Sequence, residues 1–313
     1  MIRDDTISPA HPARFGDLVE LTKPRINTMV LLTTLVGALM TGSVIEHPLS
    51  LLAALVGTYL LAAAAAALNM VAEEHSDALM ERTAGRPLPS GRVTRGRATL
   101  LGLGLTVLGT ATLALWVNPL TTLVGLITLG SYLLVYTPLK RYTPWSTHLG
   151  AVPGALPPVM GWTAMTAHEG LAAWAPSALW SEIVRIGLGP WALFAILFFW
   201  QLPHFFAIAW KYRLDYARGG LAMLSVEDEA GLRTSNQALA FTAALVVASI
   251  TPWLQGMAGA IYLAVALALG GIFLVFAVRF RLERTEVRAR ALMLYSILYL
   301  PALLIALVAG RTG

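Results

Sequence analysis

Asn69, Glu73 and Asp77 stand at i, i+4 and i+8 in the 313-residue chain. At roughly 100° per residue this spacing places them about 40° apart in projection, so one helical face carries an amide and two carboxylates. One or two carboxylates, completed by substrate phosphates and water, are what Mg²⁺ prefers. Arg82, Arg86, Arg92, Arg95 and Arg97 follow, and guanidinium groups hold phosphate oxygens through paired, charge-assisted hydrogen bonds. The stretch 69–97 is the densest polar block of the sequence, directly after the apolar run ending Ala62 to Leu68.

Two further clusters carry similar chemistry. Lys211-Tyr212-Arg213-Leu214-Asp215-Tyr216 opens just after another long apolar run, and Asp215 is the natural third carboxylate for a metal near Glu73 and Asp77. Tyr136 and Lys140, at i and i+4, can add a phenol and an ammonium to the same pocket. Spacing alone leaves other readings open: a solvated loop, an ion pair of Asp215 with Arg213 or Arg218, and Lys140 snorkelling to an interface. His204 follows Pro203 in an apolar run and can either hydrogen-bond a neighbour or ligate a metal. His11, His47, His75, His148 and His168 have weaker claims.

The elements that must position these groups are apolar. Hydrophobic residues make up 57% of the chain, charged residues 12%, and mean hydropathy is +0.69, which excludes a soluble domain of this size. The sequence predicts an all-α, polytopic membrane protein with nine spanning helices, over 26–45, 50–70, 98–116, 119–137, 148–166, 190–210, 237–253, 257–277 and 291–309. Of the 22 Lys and Arg residues, all but Arg185 and Arg311 then fall on one side. That asymmetry predicts a cytoplasmic N-terminus and an outer C-terminus. It also accounts for the formal charge of +5 without nucleic-acid binding.

Most acids lie on the same predicted cytoplasmic side. A transporter would instead bury ionisable residues near the bilayer midplane. Residues 167–189, with Trp174, Trp180 and Glu182, read as an interfacial amphipathic segment. The absence of cysteine excludes disulfides, thiolate nucleophiles and Cys-ligated metal centres. The first fourteen residues lack the apolar core of a cleavable signal peptide. A cytoplasmic segment over 1–25 and a single intramembrane domain over 26–313 are expected. The two Asp-bearing connections, four helices apart, hint at a weak internal duplication.

The Asn-x3-acid-x3-Asp pattern, the Tyr-x3-Lys pair and the later Asp-bearing connection resemble the UbiA superfamily of intramembrane prenyltransferases. Within it, several strings are similar to the protoheme IX farnesyltransferases, also called heme O synthases. These are Leu21-Thr22-Lys23-Pro24-Arg25-Ile26, Asp77 to Thr83, Arg86 to Arg92, Tyr136 to Arg141, Pro157-Pro158 with Gly161-Trp162, and Trp200-Gln201-Leu202-Pro203-His204-Phe205.

The resemblance implies nine helices around a central cavity in a bacterial inner membrane, with the mouth on the cytoplasmic side. It implies Mg²⁺-dependent binding of farnesyl diphosphate and farnesyl transfer to a vinyl group of haem b. Carried over by residue, Asn69, Glu73 and Asp77 match the first diphosphate and metal motif, Tyr136 and Lys140 the second, and Lys211, Asp215 and Tyr216 the third. Arg82, Arg86 and Arg92 would bind diphosphate, Glu73, Asp77 and Asp215 the metal, and His204 the haem iron. Glu73 replaces the superfamily's more usual Asp, and Leu214 stands where another acid often precedes the Asp-Tyr pair. An aromatic quinone precursor is the alternative acceptor, although the Trp-x2-Pro-His-Phe string argues against it. Haem-handling or oxidase-assembly proteins are expected as transient partners.

Overall fold

The computed structural model describes residues 14–167 and 171–312. Arg3, His11, His168 and most of the expected N-terminal segment lie outside them. Among the described residues the regular structure is helical, with one isolated bridge between Ala258 and Arg311. A short α1 (Phe15–Leu21) leads into α2 (Pro24–Leu39), α3 (Pro48–Leu79) and α4 (Arg95–Trp116). Then α5 (Pro119–Gly130) runs on through a π-helical stretch (Ser131–Tyr136) and a last turn (Thr137–Leu139). The chain continues as α6 (Ser146–Ala155), α7 (Pro157–Thr166), α8 (Pro176–Arg185) and α9 (Gly189–Lys211). Two short helices, α10 (Arg213–Arg218) and α11 (Leu224–Glu227), precede α12 (Leu232–Leu254), α13 (Ala260–Glu283) and α14 (Glu286–Ala309).

The starts of these helices follow from local chemistry. Pro24, Pro48, Pro119, Pro157, Pro176 and Pro190 occupy first-turn positions, where a missing N–H costs no helical hydrogen bond. Thr94 and Thr285 cap α4 and α14 by accepting from Arg97 N and Arg288 N.

Seven helices are long and apolar enough to cross a bilayer among the described residues: α3, α4, the continuous Pro119–Leu139, α9, α12, α13 and α14. Each expected run falls largely on helix, although 26–45 leaves it after Leu39 and 257–277 enters it at Ala260, and two fall short of a full span. The first, α2, has 16 residues, and the run 148–166 is divided between α6 and α7. The division falls at Leu156, because Pro157 has no N–H to continue the ladder. Conversely, α3 has 32 residues, about 48 Å at 1.5 Å per residue, against a hydrocarbon core of about 30 Å. Its last turns therefore carry Asn69, Glu73 and Asp77 beyond the apolar layer while remaining helical.

Packing is tightest where side chains are smallest. A Cβ at Gly161 of α7 would lie 1.8 Å from Thr34 O of α2, and one at Gly37 2.0 Å from Pro158 O. Small residues let these backbones touch, the usual means of packing between helices in lipid. One buried cluster joins α9, α12, α13 and α14 around Phe206, Leu245, Phe273 and Tyr299, and a second joins α3, α4, α5 and α7 around Leu61, Leu113, Leu129 and Met160. The outward faces are also apolar, as at Leu100, Val107, Ile261 and Ile305; in water such faces would be an unusual liability. In α8, Trp180 and Val184 are exposed while Glu182 is buried beside Arg185.

Candidate active site

At the polar end of α3, the predicted face is formed and each acid on it meets a different cation. Asn69 and Asp77 are buried. Asn69 Nδ2 donates to Thr137 Oγ1 at 3.1 Å, and Lys23 Nζ donates to Asn69 Oδ1 at 3.5 Å. Lys140 Nζ lies 2.7 Å from Glu73 Oε1, and Arg86 Nη1 lies 2.5 Å from Asp77 Oδ2. Thr83 Oγ1 donates to the Asp77 carbonyl, which folds the connection back over the helix end.

Asp215 is buried and holds a different set of partners. Its carboxylate accepts from the backbone N–H groups of Glu81 and Arg82, at 3.1 and 3.3 Å, and from Arg218 Nη2 at 2.9 Å. Arg218 also pairs with Glu81 at 2.5 Å. Asp215 thus ties α10 onto the connection after α3. Across the same join, the Arg82 guanidinium sits 5.1 Å from the Tyr212 ring centroid and 5.5 Å from that of Tyr216, within cation–π range. Lys211 Nζ lies 4.8 Å from the Tyr212 centroid.

Of these groups, Lys23, Arg82 and Tyr216 line a cavity of about 400 Å³. Lys23, Arg82, Tyr136 and Tyr216 line its polar end; Leu61, Gly125, Leu129 and Met160 line an apolar part. The π-helical stretch places Tyr132 and Tyr136 on this wall, with the Lys140 ammonium 4.3 Å above the Tyr136 ring. Burial opposes charge on Lys140, but Tyr136 and Glu73 beside it outweigh burial and hold the ammonium well above the usual lysine range. Burial and the nearby Arg86 push Lys23 down, to about 8. Burial pushes the Tyr216 phenol up. A cation-rich mouth over an apolar chamber suits an amphiphile with an anionic head.

The UbiA prenyltransferase family matches residues 30–300 of the chain. The chain belongs to the UbiA prenyltransferase family. A protoheme IX farnesyltransferase of Solibacter usitatus is 44% identical over 306 residues, covering 95% of this chain and 99% of that protein. Among solved structures, a digeranylgeranylglyceryl phosphate synthase aligns with TM-score 0.74 and 16% identity over 94% of this chain and 97% of its own. A UbiA homolog from Archaeoglobus fulgidus bound to GPP and Mg²⁺ aligns with TM-score 0.58 and 15% identity, over 94% of this chain and 99% of its own. With its seven apolar helices, this UbiA-family chain is an integral membrane prenyltransferase.

Of the expected site residues of this UbiA prenyltransferase, Arg82, Tyr136 and Tyr216 line the cavity, while Asn69, Glu73, Asp77, Arg86, Lys140, Lys211 and Asp215 do not. Arg92 turns to α1, where it pairs with Asp17 and with Glu20, and it donates to Gly85 O. His204 does not line the cavity: its Nδ1 lies 2.7 Å from Ser296 Oγ on α14, and its ring stacks on Trp200. Asp215 forms the ion pair with Arg218 that its spacing had left open. Among the described residues no three His, Asp or Glu side chains form a metal cage. Sequence reasoning passed over Lys23 and Tyr132, both on the cavity wall. The available signals were a lysine directly before a helix-starting proline and a tyrosine one turn before Tyr136.

Proposed function

We propose that the chain transfers a farnesyl group from farnesyl diphosphate to a vinyl group of haem b, giving haem O. The observation that carries this reading is 44% identity to a protoheme IX farnesyltransferase over nearly the whole of both chains; the cation-lined mouth above an apolar chamber supports it. Nine membrane crossings, a cytoplasmic N-terminus and mouth, an outer C-terminus and a bacterial inner membrane complete the reading, supported by the lysine and arginine asymmetry. In this arrangement α2 and the α6–α7 pair are the two crossings below full length, and residues 26–313 act as one domain. Transient contact with haem-handling or oxidase-assembly proteins would carry the product away.

The donor set fits Mg²⁺ held by one or two carboxylates and the substrate's own phosphates, rather than by an all-protein cage. Glu73, Asp77 and Asp215 would hold it, with Asn69 beside the first two; Asp215 Oδ2, which accepts one backbone hydrogen bond, keeps a lone pair for a cation. When bound, Mg²⁺ neutralises the diphosphate as a Lewis acid. The remaining work falls to the chain's own groups. Arg82, Arg86, Lys140 and Lys211 offer donors to the phosphate oxygens, and Tyr136 and Tyr216 line the same mouth. The apolar wall keeps water from the allylic cation until the vinyl group has captured it; water then adds to give the hydroxyethylfarnesyl side chain.

Membranes containing the protein, supplied with haem b, farnesyl diphosphate and Mg²⁺, are expected to yield haem O on pigment extraction and mass measurement. Transfer to an aromatic acid but not to haem would overturn the proposed acceptor.

A further inference from the structure

Lys23 stands under several unfavourable conditions at once. Its backbone is left-handed, with φ 48° and ψ 58°, a region rarely adopted by residues with a side chain. It directly precedes Pro24, a position biased toward extended backbone. It is also the residue before the first turn of α2, whose N-terminal end carries partial positive charge and disfavours an ammonium. Arg86 and Lys140 lie nearby, and each already has a carboxylate, Asp77 and Glu73. Against all this, the Lys23 ammonium is given the attraction of Glu73 and Asp77 and one long hydrogen bond, 3.5 Å to Asn69 Oδ1.

The side chain also lies at a particular point of the cavity. Ile26, Asn27 and Val30 lie on one face of α2, Lys23 directly precedes that helix, and all four line the wall. The ammonium therefore tops a face that descends from the polar mouth into the apolar chamber. For a prenyl diphosphate, that is the junction between head and tail.

We propose that Lys23 binds the phosphate group bearing the prenyl chain and donates a hydrogen bond to the oxygen from which the allylic carbon departs. The inference rests on the prenyl-transfer reading above. The carbon–oxygen bond breaks heterolytically, and its electron pair stays on the diphosphate oxygen. The acceptor's vinyl π pair then fills the allylic carbon and makes the new carbon–carbon bond. Lys23 gives up no proton; its hydrogen bond strengthens as charge grows on the leaving oxygen, so it favours the transition state over the bound substrate. The same anion relieves the repulsion from Arg86, Lys140 and the helix end.

The test uses the full chain in lipid nanodiscs, comparing wild type with Lys23→Gly, Lys23→Met and Lys23→Arg. Glycine adopts positive φ without strain, so Lys23→Gly removes the ammonium while easing the backbone. The expected result is a ~100-fold fall in kcat for Lys23→Gly and Lys23→Met, the order lost with one preorganised donor, with partial recovery in Lys23→Arg. Inorganic pyrophosphate is expected to bind ~10-fold more weakly to the Gly and Met variants, with a melting point in its absence no lower than that of wild type.

Lys23→Gly within threefold of wild type in both kcat and pyrophosphate affinity would overturn the proposal. So would a lowered ligand-free melting point in all three variants, which would mark Lys23 as structural. If the wild type does not farnesylate haem b, the prenyl-acceptor reading fails, while the pyrophosphate arm still decides the role of Lys23.

Discussion

The two Asp-bearing connections look alike in sequence and do different work in the fold. In the first, Glu73 and Asp77 remain on α3 because that helix runs 32 residues, and each faces a separate side-chain cation. In the second, α9 ends at Lys211, so Asp215 sits on the separate short helix α10 and binds mostly the backbone of the first connection. How far a helix continues past its apolar run thus decides whether its acids stay on that helix's own face and pair with side-chain cations or join two segments. Exchangeable side-chain partners suit the first role; fixed backbone donors suit the second.

The largest effect that would sharpen this contrast is expected from Asp77→Asn. It leaves the half-buried Arg86 without its carboxylate, and farnesyl transfer should fall ~10²–10³-fold, with a stability loss of about 1 kcal/mol. Asp215→Asn keeps an acceptor oxygen and should lose about tenfold in activity. Equal losses in the two variants, measured side by side, would break the comparison.

Asp215→Ala is expected to free the Glu81 and Arg82 amides, costing about 2 kcal/mol locally and accelerating their hydrogen exchange. Unchanged exchange at both amides would remove the joining role from Asp215.

A smaller effect follows from Lys23, whose folded pKa near 8 lies below the ordinary 10.5. Between these values the unfolded chain binds more protons, so stability should rise with pH across that window. In Mg²⁺-free buffer, with Arg86, Lys140, Glu73 and Asp77 facing the group, the melting point of wild type relative to Lys23→Met should climb from pH 8 to pH 10. A pH-independent difference would contradict the assignment.

The smallest change is expected from His204→Gln. This side chain hydrogen-bonds Ser296 outside the cavity, so pyrophosphate affinity should stay within about twofold. A large loss of affinity would extend the diphosphate site to α9 and α14.

The face bearing Asn69, Glu73 and Asp77 was legible because helical periodicity is a local property, and the charge asymmetry was legible because it needs only the apolar runs. The break at Pro157 was less so, since a hydropathy run registers apolar length and not the loss of one backbone donor. Arg92 belonged to the same polar block as Arg82 and Arg86, yet Asp17 and Glu20 claim it from α1. Nothing in its local sequence separates it from its neighbours.

By itself, the sequence determined that the chain is helical, membrane-embedded and armed with acids and bases at the ends of its apolar runs. Those properties depend on residue type and short-range spacing. Only the tertiary structure decided which cation neutralises which acid, that Asp215 joins two connections, that His204 turns to α14, and that Lys23 tops the cavity wall. These pairings link residues from nine to more than a hundred positions apart, and their energies depend on distance and burial that no local pattern encodes.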